Sequence, residues 1–454
     1  MTSHFDLAII GSGSGNSLAT HELAGLSIAI IEESTFGGTC LNVGCIPTKM
    51  YVYPADLAYG ARDAARLGVD AHVDGVRWAD IRDRIFGRID AISAGGREYR
   101  HSGTPNVTLF ETHASFTGPN ELLLGTGETI TADQIVLATG SRATIPDVVL
   151  DSGVPFHTSD TVMRIDEVPR RVAIFGGGYI GAEFGHVFSS FGADVTVICR
   201  HKLLGALDAE LSAAFADVVK DRWDVRQETN VVSLSEDGGE ITIVLDDGSS
   251  VVADLLLVAT GRVPNTDRLG IEAAGVQLHP DGRVVVDAQQ RTTVPGIWAL
   301  GDASTEHQLK HVANHEMRVV AHNLAHPDDL IASDHRFVPA AVFTHPQIAY
   351  VGLTEEQAEA SGRRFVTARQ DYGGTAYGWA MEDATSFCKL IADPETGQLL
   401  GAHLMGEQAA TLIQPLIQAM SFGLTVRGLA RGQYWIHPAL TEVVENALLH
   451  LDLD

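Results

Sequence analysis

The chain has 454 residues, 45% hydrophobic and 20% charged, enough for about three globular domains and unlike a disordered segment. Asp and Glu outnumber Lys and Arg by 58 to 31, and the resulting charge of −27, with no basic run to offset it, excludes nucleic acid and anionic membrane as expected partners. Four cysteines are too few for a secreted disulfide scaffold, the start MTSHFDLAIIGSGSG lacks the features of a signal peptide, and no apolar run approaches the ~20 residues of a membrane span, so a reduced cytoplasmic setting is expected.

The first predicted unit is an apolar strand, Phe5 to Ile10, a glycine turn GSGSGN, a helix through about Leu23, and a second strand, Ser27 to Ile31, ending in Glu32. Glycines at 11, 13 and 15 let the strand turn sharply and bring backbone amides to a pyrophosphate. Glu32, 21 residues past Gly11, is placed to accept hydrogen bonds from an adenosine ribose. Asn16 occupies the third glycine position of the fingerprint, which should loosen helix–strand packing while leaving the amide cradle intact.

Next comes Gly37-Gly-Thr-Cys40-Leu-Asn-Val-Gly-Cys45-Ile-Pro-Thr-Lys49. Residues five apart on a regular helix are too far separated for a disulfide, so Cys40 and Cys45 require a distorted turn, for which Gly44 supplies freedom. So small a ring adds little stability, and the pair reads as a reversible redox couple with Lys49 placed to favour a thiolate. No second cysteine pair accompanies it, so no metal site is expected.

The strand–turn–helix–strand pattern recurs as Arg171 to Phe175, GGGYIG with Gly176, Gly178 and Gly181, a helix to about Phe191, and Asp194 to Ile198. Here the second strand leads into Cys199-Arg200-His201-Lys202 without an acid. A cationic cluster in that place suits the 2′-phosphate of NADPH rather than the free hydroxyl of NADH. Each unit meets an echo further on, QIVLATGS at 134–141 and LLLVATGR at 255–262. Uninterrupted apolar strands alternating with helices predict doubly wound parallel sheets. The expected class is therefore α/β, with two Rossmann-like nucleotide-binding domains in tandem. Beyond Arg262, 284–287 and 296–302 read as strand and return turn, and 311–324 as helix. From about Arg336 an α+β unit follows, with strands at 340–343, 389–392 and 401–404 and helices at 408–422 and 438–451.

Together GSGSGN with Glu32, GGTCLNVGCIPTK, ATG at 138–140, GGGYIGAE at 176–183, ATGRVPN at 259–265, WALGDA at 298–303 and HPALTE at 437–442 resemble the class I pyridine nucleotide–disulfide reductases over the whole length. The resemblance implies an FAD-binding domain at 1–143, an NADPH-binding domain at 144–265, a central domain at 266–335 that completes the FAD site, and a dimer-interface domain at 336–454. It implies that Cys45 is the sulfur beside the flavin, forming a charge-transfer thiolate, and that Cys40 is the interchange thiol. Lys49 and Glu183 would pair near the reactive flavin nitrogen, Tyr179 would gate the nicotinamide site, and Asp302 would bond the ribityl chain. Gly38, Thr39, Thr139, Gly140 and Gly301 would complete the FAD contacts, and Gly261 would join the NADPH site. His437, oriented by Glu442, would serve the partner subunit as acid and base, so the active form would be a homodimer; Cys199 and Cys388 would be bystanders.

Two features bear on the substrate. Where glutathione reductases carry an arginine after the first glycine turn, this chain has His21, although Arg318 keeps the place of another. The run Gln308-Leu-Lys-His-Val-Ala-Asn314 and the GSGSGNS turn are similar to mycothione reductases, whose disulfide substrate is an uncharged cysteinyl-glucosaminyl-inositol. That disulfide is the expected substrate. Dihydrolipoamide or glutathione chemistry is the alternative, and a redox-silent flavin-binding scaffold a remote one that retention of both cysteines and the His-Glu pair opposes.

Overall fold

In the computed structural model, which describes residues 2–453, two parallel sheets follow one another and an antiparallel sheet closes the chain. The first sheet has seven strands. Val107–Phe110, Ile28–Ile31, Ser3–Ile10 and Thr129–Leu137 run parallel in that order, and an antiparallel hairpin, Ala114–Gly118 and Glu121–Leu124, extends one edge. Ile297–Ala299, from the central segment, pairs parallel to Thr129–Leu137. The apolar strands are continuous because both faces are covered. Leu7 and Ile9 pack with Trp298 and Val320 on one face, while Ala8 and Ile10 pack with Phe116 and Leu269 on the other.

The second sheet, Trp223–Arg226, Asp194–Ile198, Arg171–Phe175 and Leu255–Val258, is wholly parallel. Helices Tyr179–Ser190 and Ala209–Val219 cover Val172 and Ile174. The opposite face, with Ala173 and Val258, is covered by a three-stranded antiparallel meander, Val231–Asp237, Glu240–Leu245 and Ser250–Ala253, whose middle strand alternates buried and less buried residues. The C-terminal sheet has five antiparallel strands, Ala340–Val342, Gln347–Gly352, Leu399–Gly406, Phe387–Ala392 and Val366–Asp371.

The two glycine turns are built alike. Gly11 has φ +107°, and a Cβ there would lie 2.2 Å from the carbonyl oxygen of Ala138; Gly176 has φ +132°, and its Cβ would lie 2.1 Å from that of Ala259. Both positions combine left-handed backbone with a close approach that only glycine permits. The repeated Ala-Thr-Gly segments are thus the surfaces on which the two turns rest.

Four expectations are corrected. The helix through Leu23 is replaced by two short 3-10 turns, Gly15–Leu18 and His21–Leu23. Asn16, Ser17 and Thr20 are weak helix formers, and Arg100 donates to the carbonyls of Asn16 (2.9 Å) and Ala19 (3.4 Å) and to Asn16 Oδ1 (2.7 Å). Over 284–287 no regular strand forms, only isolated bridges Leu278–Val284 and Val286–Thr292. The 408–422 helix divides into Ala409–Leu412 and Gln414–Phe422, because Pro415 starts a new helix. The last helix is shorter than 438–451, spanning Thr441–Leu449. No helix among the described residues is long and apolar enough to cross a membrane.

Candidate active site

The Gly37–Lys49 segment folds as two helices, Gly38–Asn42 and Cys45–Asp63, broken at Val43–Gly44. A Cβ at Gly44 would lie 3.0 Å from the carbonyl oxygen of Thr39, so the break closes tightly enough to bring Cys40 back to Cys45. Asn42, buried, donates to the carbonyls of Phe36 (3.0 Å) and Gly38 (3.1 Å) and holds the first helix in place. Gly38 abuts the first glycine turn: its Cβ would sit 2.6 Å from Gly13 Cα.

Cys40 and Cys45 are free thiols here, and they hydrogen-bond to each other. This bond, donated by Cys40, lowers Cys45 to about 7, with Lys49 assisting against burial. The same bond, with burial, pushes the Cys40 thiol well up. Of the two, Cys45 is therefore the sulfur that ionises first. Cys199 and Cys388 are buried, and loss of solvation raises both thiols, Cys199 to about 11.

Lys49 Nζ lies 2.7 and 2.6 Å from the two carboxylate oxygens of Glu183, on helix Tyr179–Ser190. Glu183 is 3% exposed and also accepts the N–H of Phe343 at 3.0 Å. One buried carboxylate thereby joins three parts of the chain, and its partner and hydrogen bonds offset the cost of burying its charge. On the same two helices His186 Nε2 lies 2.7 Å from Asp56 Oδ1.

A long cavity connects these groups. It is lined by Gly11, Gly13, Glu32, Gly38, Thr39 and Cys40, by Cys45, Lys49, Tyr179 and Glu183, and by Thr139, Gly140, Gly301 and Asp302. Glu32 accepts Ser12 N and Oγ (2.9 and 2.6 Å) and Ser34 N and Oγ (2.9 and 2.8 Å), while Ser12 Oγ accepts Gly37 N at 2.8 Å. Thr139 Oγ1 is buried there without a protein partner. A cavity shared by the first glycine turn, the thiol pair and a buried hydroxyl without a protein partner fits a dinucleotide. Gly15 does not line it; a Cβ there would meet Ala138 Cβ at 2.7 Å and Ile9 Cγ2 at 2.9 Å, so this glycine serves packing.

Except for Tyr179 and Ile180, the second glycine turn lies outside that cavity. Gly178 begins helix Tyr179–Ser190, and Gly181 packs against Gly176, whose carbonyl oxygen would be 2.2 Å from an added Cβ. Arg200 and His201 are exposed just past strand Asp194–Ile198, and Gly261 is exposed after Leu255–Val258, at the end of the sheet where the turn lies. His21 and Arg318 are also exposed, and neither lines the cavity.

His437 and Glu442 form a pair of their own. His437 Nδ1 is 2.8 Å from Glu442 Oε1, and Ala439 N donates to Oε2 at 3.3 Å. The ring is 71% exposed, far more than its partner, and it does not line the Cys40 cavity of its own chain. Phe422, Tyr434 and Ile436, all exposed, lie in the same C-terminal region.

Several site groups were not expected from the sequence. Asp302 accepts Ser141 Oγ at 2.6 Å, and Arg262 donates to that hydroxyl at 2.8 Å and to Ser141 O at 2.6 Å. Lys310 lines the cavity and donates to Ser14 Oγ at 2.8 Å. The long helix Trp78–Ser102, also unforeseen, supports the redox segment through Ser93 Oγ, which donates to Phe36 O at 2.6 Å. The SRA and GRVP stretches after the two ATG turns were the available signal for Ser141 and Arg262, which pair as Ser141–Ala143 with Arg262–Pro264.

Residues 5–317 match a family model described as pyridine nucleotide-disulphide oxidoreductase, and residues 338–448 match the dimerisation domain of the same description. The chain is 55% identical to a mycothione reductase of Mycobacterium tuberculosis, with 98% of this chain and 99% of the relative covered. It is 33% identical to a dihydrolipoyl dehydrogenase of Mycobacterium bovis, with 98% and 97% covered. The solved structure of the HOCl-induced flavoprotein disulfide reductase RclA from Escherichia coli superposes with a TM-score of 0.86 at 27% identity, covering 98% of this chain and 99% of that one.

Proposed function

This chain belongs to the pyridine nucleotide-disulphide oxidoreductases, an enzyme family, and from that premise we propose that it is an NADPH-dependent mycothione reductase that uses FAD. The observation that carries the reaction is the Cys40–Cys45 pair lining one cavity with the first glycine turn and the Lys49–Glu183 ion pair. Identity of 55% to a mycothione reductase, against 33% to a dihydrolipoyl dehydrogenase, carries the substrate. Cytoplasmic residence goes with this reading. The domain assignment follows: FAD at 1–143, NADPH at 144–265, a central part at 266–335 that contributes Gly301 and Asp302, and an interface part at 336–454.

When bound, the flavin passes a hydride equivalent from NADPH to the disulfide. The protein's part is positional. Gly11, Gly13, Gly38 and Thr39 would hold the pyrophosphate through their backbone amides, Glu32 would hold the ribose, and Thr139, Gly140, Gly301 and Asp302 would hold the flavin part. Gly176, Gly178, Tyr179, Gly181 and Gly261 form the NADPH approach, and Arg200 with His201 takes the 2′-phosphate. Lys49, kept in place by Glu183, holds a positive charge next to the Cys45 thiolate.

Once the pair is reduced, Cys40 loses its proton to His437 of the partner subunit and attacks one sulfur of the substrate disulfide. A Cys40–substrate mixed disulfide forms, and the first thiol leaves with the proton from the imidazolium. Cys45 then attacks Cys40, which restores the protein disulfide and releases the second thiol after protonation. Two electrons and two protons pass to the substrate. The dimerisation-domain match supports the homodimer, and the exposed ring of His437, held only through Nδ1, supports a role across the interface.

The test is a panel of mycothione, glutathione disulfide and lipoamide, each with NADPH and NADH. Mycothione with NADPH should turn over fastest, and comparable efficiency with glutathione disulfide or lipoamide would overturn the substrate assignment. For cofactor choice, Arg200→Ala should raise the KM for NADPH by about tenfold, the worth of one charge-assisted hydrogen bond, and leave that for NADH unchanged. Equal KM values for NADPH before and after the change would return Arg200 to a solvated turn.

A further inference from the structure

We propose that Lys310 is a positioning residue for the thiol pair: an ammonium without an acidic partner among the described residues, lining the same cavity as Cys40 and stabilising the negative charge that Cys40 carries during disulfide exchange. This rests on the dithiol mechanism above and adds a residue to it.

Of the chain's five lysines, Lys202 and Lys310 have no ion pair among the described residues, and Lys202 is exposed and does not line the thiol cavity. Lys49 is neutralised by Glu183, Lys389 sits among Asp208, Glu210 and Glu355, and Lys220 pairs with Asp217. Lys310 is half-buried and forms no ion pair among the described residues. Its Nζ donates to Ser14 Oγ at 2.8 Å, and Ser14 donates onward to Asn314 Oδ1 at 3.1 Å, one turn along the helix that Lys310 begins. Two neutral side chains thus fix the position of the ammonium and leave its charge intact.

The location is electrostatically unfavourable for the fold. Lys310 is the first residue of helix Lys310–Ala325, where the backbone dipole favours anions, and no acidic residue occupies that first turn. A negative charge arriving nearby would relieve both problems. Lys310, Ser14, Cys40 and Cys45 line one cavity. The charged groups that act most directly on the thiols are Lys49 and Glu183, which pair with each other, and Lys310, which pairs with no acid among the described residues; Glu32, Arg142, Arg262 and Asp302 line the same cavity. Lys310 also opposes the rise that Cys45 and burial impose on the Cys40 thiol.

In the exchange step the charge on Cys40 is transient. It is present when the thiolate attacks, absent in the mixed disulfide and in the restored Cys40–Cys45 disulfide, and present again when the next reduction opens that disulfide with Cys40 as the leaving sulfur. A fixed ammonium lowers the energy of the thiolate without exchanging protons, so it complements the imidazole.

The test uses NADPH-reduced holoenzyme and iodoacetamide, an uncharged probe, with peptide mass analysis to confirm alkylation at Cys40. In Lys310→Met the pH profile of alkylation should move up by about one unit, about tenfold slower at pH 7, while Lys310→Arg stays near the parent. FAD content and the long-wavelength absorbance of the Cys45 thiolate should persist in both. An unshifted profile overturns the proposal whether or not FAD is lost; with FAD loss, Lys310 would be a cofactor-holding residue. Should the Met variant fail to fold, Lys310→Gln gives the same reading. Failure of the parent protein to expose an alkylatable Cys40 on NADPH reduction would instead overturn the dithiol mechanism itself.

Discussion

Replacing His437 with alanine is expected to slow disulfide reduction by about 10²–10⁴-fold while reduction of the flavin by NADPH proceeds at its normal rate. The size of the effect follows from the asymmetry of the thiols. Cys45 is lowered to about 7, whereas Cys40 is raised by the bond it donates and by burial. The attacking sulfur is thus the one that needs a base. Glu442 engages Nδ1 at 2.8 Å, which selects the tautomer with Nε2 free to take the proton and stabilises the imidazolium once formed. Stopped-flow measurement of the two half-reactions separates these outcomes, and equal loss in both would remove His437 from the exchange step. Mixed dimers provide the spatial test. A Cys40→Ser chain combined with a His437→Ala chain should regain turnover in heterodimers, because one site then has both groups. No recovery would mean that the imidazole acts within its own subunit.

Replacing Cys45 with serine should abolish disulfide turnover, by about 10³-fold or more, and remove the long-wavelength absorbance that the NADPH-reduced protein is expected to show. Resolution of the mixed disulfide needs a second sulfur, and serine cannot supply it. In the parent protein the sign of the pH dependence follows from the lowered pKa: the thiolate is present above about pH 7, and absorbance fades as pH falls through that value. An anaerobic spectral titration measures this. A band that persists in Cys45→Ser, or one that grows as pH falls, would contradict the assignment of Cys45 as the sulfur beside the flavin. A preparation that cannot be loaded with FAD would contradict the cofactor itself.

Three features of this site were readable directly from residue order, since each depends on local backbone rules. The glycine turns at 11–16 and 176–181 need left-handed or crowded backbone that only glycine accepts, and the structure has both. The Cys40–Cys45 spacing cannot be bridged on a continuous helix, and a break at Val43–Gly44 is what is found. Continuous apolar strands signal a sheet covered on both sides, as both parallel sheets are.

Other elements depend on distant partners. The segment after Gly15 was expected to be helical, but Arg100, some 80 residues on, takes the carbonyls that such a helix would use. The meander at 231–253 covers a sheet face that could equally have received a helix, since periodicity states that a face is buried and not by what. Ser141 and Arg262 look like ordinary turn residues until the two ATG exits pair and bring them to Asp302. Residue order by itself thus determined the α/β class, the two glycine turns and the helix break between Cys40 and Cys45, because sterics and hydrophobic period act within a few residues. Only the tertiary structure decided that Glu183 holds the N–H of Phe343 as well as Lys49, that Lys310 lines the thiol cavity without an acidic partner among the described residues, and that His437 is exposed and does not line the thiol cavity of its own chain. Charge compensation and exposure are properties of neighbours in space, and the chain brings those neighbours together from segments more than a hundred residues apart.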